Sequence, residues 1–192
     1  MAASGRTIVA CAALGFATTL IVFASLPEKP QGNAHVFIGE ERPRWTEVKW
    51  PFPVDLWSGG KAFECAPSHC GGSVRLYLRA KLGFCNCRTG VADDDELERV
   101  ADLDLLGGRR STEGAGRSIA VASMKGRSRT YSISSTIPAG KSALSLAFND
   151  RCDVIVATVI LDHDRHAEAE RITLEFLNSD AILKWAQVTL GL

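Results

Sequence analysis

The chain has 192 residues, of which 46% are hydrophobic and 23% are charged. This composition is that of a globular protein with enough apolar material for one core. The 22 basic and 22 acidic residues cancel, so no net field attracts nucleic acid, and we expect no nucleic-acid partner.

An uncharged, apolar stretch of twenty residues lies near the amino terminus, at residues 7–26. At about 1.5 Å per residue a helix of this length spans roughly 30 Å, the thickness of a bilayer's hydrocarbon core. Arg6 and the terminal amino group precede it, so we expect residues 1–6 in the cytoplasm and residues from about 27 onward exported. The stretch predicts a single-pass anchor in the inner membrane, with the carboxyl-terminal domain in the periplasm.

A cleaved signal peptide is the alternative for the same stretch. The run Val22-Phe23-Ala24 offers small residues at the positions that a signal peptidase reads. Cleavage would release a soluble periplasmic protein. The apolar run is longer than the 7–15 or so residues typical of a signal peptide, which favours the anchor.

A linker is predicted at residues 27–44, which mix proline, glycine and charge. Residues 45–192 then form a single exported globular domain. This domain opens on WTEVKWPFPVDLW, where Pro51 and Pro53 favour an extended path. Its four aromatic rings either cover one end of the core, the commoner fate, or form a surface for a partner. These rings belong to Trp45, Trp50, Phe52 and Trp57.

Residues 74–84 show the clearest strand pattern, with apolar side chains at every even position. The opposite face carries Arg75, Tyr77, Arg79 and Lys81. The three cations predict a basic stripe that either faces solvent or binds an anionic partner.

Five cysteines follow the apolar stretch: Cys65, Cys70, Cys85, Cys87 and Cys152. An oxidising compartment favours structural disulfides among them. A Cys85–Cys87 bridge would join Cα atoms about 6.6 Å apart on a strand, so pairing between Cys65 or Cys70 and Cys85 or Cys87 is geometrically easier. Cys152 either pairs with one of these four and leaves another free, or is itself the odd thiol.

Two other chemistries could explain the same cluster. Cys65, His69, Cys70, Cys85 and Cys87 offer soft ligands for zinc or copper, although the C-x2-C spacing of structural zinc sites is absent. A Cys-x-Cys pair could also exchange thiols with a partner. The disulfide interpretation, which we favour, requires no cofactor.

The remaining segments predict two helices and four strands. A helix over residues 93–106 is capped by Asp93, and a polar loop follows at 109–117. Strands at 118–125 and 129–137 are joined by a turn at 126–128, and further strands follow at 142–148 and 154–161, the last buried on both faces. Residues 162–166 form a polar loop, 167–177 are ambiguous, and 180–190 form a final helix.

These elements predict an α+β fold, with an antiparallel sheet of about five strands and both helices on one face, preceded by the transmembrane or signal segment. The chain contains no G-x-S-x-G, H-E-x-x-H or dinucleotide-binding pattern, so neither an enzyme nor a nucleotide partner is expected. We therefore expect a membrane-tethered envelope protein that binds an envelope protein or other ligand. The alternative is a thiol–disulfide or metal-handling accessory protein.

Overall fold

The computed structural model describes residues 43–134, 141–161 and 165–192. They belong to one compact unit, Gly39–Leu192. The predicted membrane segment at 7–26, the linker up to residue 42 and the polar residues 162–164 lie outside the described residues. None of the described helices is long and apolar enough to cross a membrane.

One antiparallel sheet of seven strands forms the centre of the domain, in the order β1-β2-β3-β7-β6-β5-β4. The expectation of about five strands is therefore wrong. The unpredicted strands are the first two, whose four and five residues are too short to show a clear alternation. The strands are β1 Trp45–Val48, β2 Lys61–Cys65, β3 Val74–Lys81, β4 Arg109–Val121, β5 Met124–Ser134, β6 Lys141–Asp150 and β7 Asp153–Leu161.

Four α-helices and one 3-10 turn complete the described fold. The ambiguous segment at 167–177 is helical, and the final helix has the predicted bounds. The helices are α1 Pro67–Cys70, α2 Asp94–Val100, α3 His166–Leu177 and α4 Asp180–Leu190, with the 3-10 turn at Leu103–Leu106.

The helices cover both faces of the sheet, so the prediction of two helices on one face is wrong. On one face, α3 and α4 bury Ile172 and Ile182 against a core that includes Leu146. On the other, α2 packs Leu97 and Val100 against β7 and β6. The cause lies in β7, whose almost continuous apolar sequence needs cover on both sides.

Helix α2 ends at Val100, six residues before the predicted end. The Lys81 side chain donates a 2.6 Å hydrogen bond from Nζ to the Val100 carbonyl, which would otherwise accept from the next turn of helix. Ala101 is extended, with ψ 152°. The predicted start is confirmed, since the Asp93 carboxylate accepts from the Glu96 amide at 2.8 Å.

The hairpin of β4 and β5 corrects two further predictions. The polar loop at 109–117 is part of β4, and the chain turns at Ala122 and Ser123, not at 126–128. Gly126 lies within β5, where a Cβ atom would come within 2.1 Å of the Ala147 carbonyl oxygen. Gly114, with φ 75°, lies where the register of β4 shifts. Gly126 permits the close approach of two strands, and Gly114 permits a bulge. In the sequence, glycines in either role look the same as glycines of a loop.

Candidate functional site

The aromatic segment before β2 lies along one face of β3. The Phe52 ring packs edge-on against Tyr77 with ring centroids 4.8 Å apart, and Trp50 contacts the same ring at 6.0 Å. Further along, Trp57 packs against Phe84 at 4.6 Å. Trp50 and Phe52 thus cover a core tyrosine, while Trp57 borders the cleft described below. On the opposite face of the sheet, Trp45 stacks on α3.

A buried cluster of charges lies beside these rings. Arg79 and Lys81 are only 3% and 4% exposed. Arg79 donates from Nε to Asp102 Oδ2 at 2.9 Å and from Nη2 to Asp102 Oδ1, and it donates from Nη1 to Asp55 Oδ2 at 2.7 Å. The Lys81 ammonium lies 2.8 Å from Asp102 Oδ1. Two cations therefore face two carboxylates, and of the predicted basic stripe only Arg75 is exposed.

The pairing favours the charged forms of Arg79 and Asp55. Burial opposes the charge of Arg79, but the hydrogen bonds to Asp102 and Asp55 outweigh it and hold the Arg79 pKa above its usual value. The hydrogen bond from Arg79, followed by that from the Trp57 amide, holds the pKa of Asp55 below its usual value. All four groups face a partner of opposite charge, so the cluster fastens the chain around Asp55 to β3.

Residues 55–58 form a tight turn beside this cluster. The Asp55 carboxylate accepts from the Trp57 amide at 2.8 Å, and the Asp55 carbonyl accepts from the Ser58 amide at 3.0 Å. The turn is held to the interior through Arg79. Leu56 lies at its tip with 86% of its surface exposed. An aliphatic side chain is therefore held in solvent by a fixed turn.

An open cleft of about 480 Å³ separates this turn from the carboxyl-terminal half of α4. Gly60 lies in its wall, and a Cβ atom there would come within 2.1 Å of the Leu78 carbonyl oxygen and 2.6 Å of the Trp50 ring. A larger residue could not bring the chain this close to β3. The cleft is lined by Leu56, Trp57, Ser58, Gly59, Gly60, Lys61, Ala80, Leu82, Trp185 and Thr189.

Two of the exposed large aliphatic side chains of the described residues, Leu56 and Leu82, line this cleft. Val54 precedes the turn, and Val188 precedes Thr189 of the α4 wall. The remaining one, Leu192, follows the end of α4. Isolated exposed apolar residues are ordinary, but two that line one concavity together with two tryptophans are typical of a contact surface.

Two disulfides are present, Cys65–Cys70 and Cys87–Cys152. The favoured pairing between the two cysteine groups is wrong. Cys152 pairs with one of the four and leaves another free, which was the first of the two alternatives for that residue. The eight residues of β3 place about 26 Å between the two groups, too far for any bridge.

Cys85 is the cysteine outside a disulfide in the described part of the chain. Its buried thiol lies 3.2 Å from the Arg151 carbonyl oxygen and can donate to it. Burial, with a smaller contribution from Glu96, raises the pKa of this thiol to about 11. At neutral pH it is protonated and a poor nucleophile.

The length of β3 also separates the five candidate metal ligands into two distant groups. Cys65, His69 and Cys70 lie at one end of the strand, and Cys85 and Cys87 follow its other end. Within residues 43–134, 141–161 and 165–192, no group of three or more His, Cys, Asp or Glu side chains could hold a metal ion.

A second polar cluster lies between α3 and the β4–β5 hairpin. Glu170, 7% exposed, accepts from the Ser128 hydroxyl. His166 Nδ1 lies 3.6 Å from Glu113 Oε2, and Glu113 accepts from the Ser132 hydroxyl. Because Ser132 donates to a carboxylate and not to the imidazole, this set lacks the arrangement that activates a serine nucleophile.

Several residues of the site were not identified from sequence. Asp55 followed by Ser58 and Gly59 is a turn signature that could have located Leu56 at a turn tip. Asp102 gave no such signal, because its spacing fits the polar face of a longer helix.

A scan against protein-family models finds no match, and a search of the curated proteins finds none either.

Proposed function

We propose that the chain is a membrane-tethered envelope protein whose exported domain is a non-enzymatic binding module. The two disulfides support the exported part of this proposal, since paired cysteines persist in oxidising compartments. The uncharged stretch at residues 7–26 supports the tether.

The binding surface is the cleft between the Asp55–Ser58 turn and α4. The observation that carries this assignment is that two exposed aliphatic side chains, Leu56 and Leu82, line its walls, with Leu56 held in solvent by a turn that is bound to Arg79. A side chain that is already ordered loses little conformational freedom on binding, so a fixed turn favours affinity. Trp57 and Trp185 add large, rigid contact areas of the kind enriched in binding sites.

The thiol alternative is not favoured by the geometry of Cys85. The thiol is 6% exposed, and its pKa is raised to about 11, so it contains little thiolate at neutral pH. The metal alternative would need ligands that lie at opposite ends of β3.

Binding of the apolar dye 1-anilinonaphthalene-8-sulfonate to the folded protein tests the cleft. We expect saturable binding of one dye, with energy transfer from tryptophan, because Trp57 and Trp185 line the site. Leu56→Asp should weaken binding about tenfold or more, since it places a charge on the apolar wall. The matched control is Ser111→Asp on the exposed part of β4. Equal dye affinity in Leu56→Asp and the control would contradict the assignment.

A further inference from the structure

We infer that the occupant of the cleft is the surface of the lipid bilayer that holds residues 7–26, so that the domain rests on its own membrane. This inference rests on the proposed function, because it requires both the tether and an apolar contact surface. It names the chemistry of the partner: the boundary between headgroups and acyl chains.

The side chains around the cleft have the chemistry of a membrane-contacting surface. Leu56 and Leu82 line the cleft and are 86% and 57% exposed, and Val188, next to Thr189 of the α4 wall, is 75% exposed. Protruding aliphatic groups can each enter the acyl-chain boundary without a complementary pocket on the other side. Trp57 and Trp185 line the same cleft, and tryptophan is enriched at the interface of membrane and water.

The cation in the cleft wall does not oppose this contact. Lys61 forms an ion pair with Glu47 at 2.6 Å, with 30% of its side chain exposed. The surface therefore presents a neutralised pair, not an isolated charge that would have to be desolvated.

The linker is long enough to allow the cleft to reach the membrane. Pro43 lines the same cavity as Ser179, the residue before α4. Along the helix axis, Trp185 and Thr189 lie about 9 Å and 15 Å from Ser179. The sixteen residues from 27 to 42 span between about 24 Å at helical rise and about 55 Å when fully extended. Every length in this range exceeds the distance along α4.

The anchor keeps the domain next to the membrane that it contacts, so this contact does not have to recruit the protein from solution. A surface too small to recruit a free protein to a bilayer can remain in contact when a tether supplies a high effective concentration. Recruitment by charge attraction is then not required, because the anchor already holds the domain at the membrane.

Quenching of tryptophan emission by brominated phosphatidylcholine tests the inference on the full chain reconstituted in phosphatidylcholine vesicles. All four tryptophans lie within residues 45–185, so the anchor itself contributes no tryptophan signal. We expect bromine in the acyl chains to quench the emission of the wild-type protein. Quenching should fall by more than half in Leu56→Asp/Val188→Asp and remain unchanged in Ser111→Asp. Trp57→Phe, a conservative change, should also lose part of it.

The outcomes separate this inference from the proposed function. Wild-type emission that is the same with and without bromine overturns the inference without any variant, as does equal quenching in the wild type and the double variant. If the dye still binds the cleft in either case, the binding surface stands and the bilayer is not its occupant. Loss of both signals would remove the inference and the proposed surface together.

Discussion

Arg79 and Asp102 lie 23 residues apart in the chain and are joined in the interior by two parallel hydrogen bonds from Nε and Nη2. Lys81 shares the same carboxylate at 2.8 Å. One acid therefore pairs with two buried cations, and it lies two residues after the end of α2. The pair connects β3, the end of α2 and, through Asp55, the turn that carries Leu56.

Removal of the shared acid should be strongly destabilising. Asp102→Ala leaves Arg79 and Lys81 without their main counterion in a buried setting, a change that typically costs about 3–5 kcal/mol. Urea denaturation measures the loss. Asp104→Ala is the matched control two residues away, since its carboxylate is 86% exposed and pairs with Arg110 at the surface. The control should lose less than about 1 kcal/mol, and equal losses in the two variants would contradict the described role of Asp102.

The long-range disulfide should contribute more to stability than the short one. Cys87–Cys152 joins residues 65 apart, and Cys65–Cys70 joins residues 5 apart. In the chain-entropy model these loops correspond to about 4 and about 2 kcal/mol. We expect Cys87→Ala/Cys152→Ala to lower the free energy of unfolding by about the larger amount, as measured by urea denaturation, and full reduction to lower it further. An unchanged melting temperature after full reduction would refute the stabilising role of both bridges.

The buried thiol should make stability fall at high pH. The pKa of Cys85 is raised from its usual 9.0 to about 11, mainly by burial. The unfolded thiol therefore ionises first, so the stability present below about pH 9 is lost as the pH rises through about 11. Urea midpoints compared between the wild type and Cys85→Ala isolate this contribution from that of the tyrosines, because only the wild type carries the thiol. Parallel pH profiles for the two proteins would show that Cys85 is not buried as described.

The strand pattern of β3 shows how far sequence reasoning reached. The alternation at 74–84 correctly assigned Leu76 and Leu78 to the core, because burial against a helical layer needs only apolar spacing. It assigned Arg79 and Lys81 to an outer face, whereas both are buried. Their counterion Asp102 lies more than twenty residues away, and no local pattern indicates such a pairing.

The role of Gly126 and the position of the cleft could not be predicted from the sequence either. Gly126 resembles a turn residue in sequence, but the close approach of Ala147 that requires it depends on strand pairing. The cleft combines the Asp55–Ser58 turn, the loop after β3 and α4, which come together only in the folded domain. Of its two tryptophans, Trp57 was identified as a candidate for partner binding. Trp185 was assigned to the core side of the final helix, and it packs against the core while also lining the cleft.

Amino-terminal sequencing of the protein recovered from cell membranes tests the central claim, a binding module tethered by residues 7–26, most directly. We expect the protein in the membrane fraction with an amino terminus upstream of Thr7, because an uncleaved apolar stretch of this length remains in the bilayer. A protein in the soluble fraction that begins at Ser25 or His35 would contradict the tether. It would also contradict the proposed contact between the cleft and the membrane.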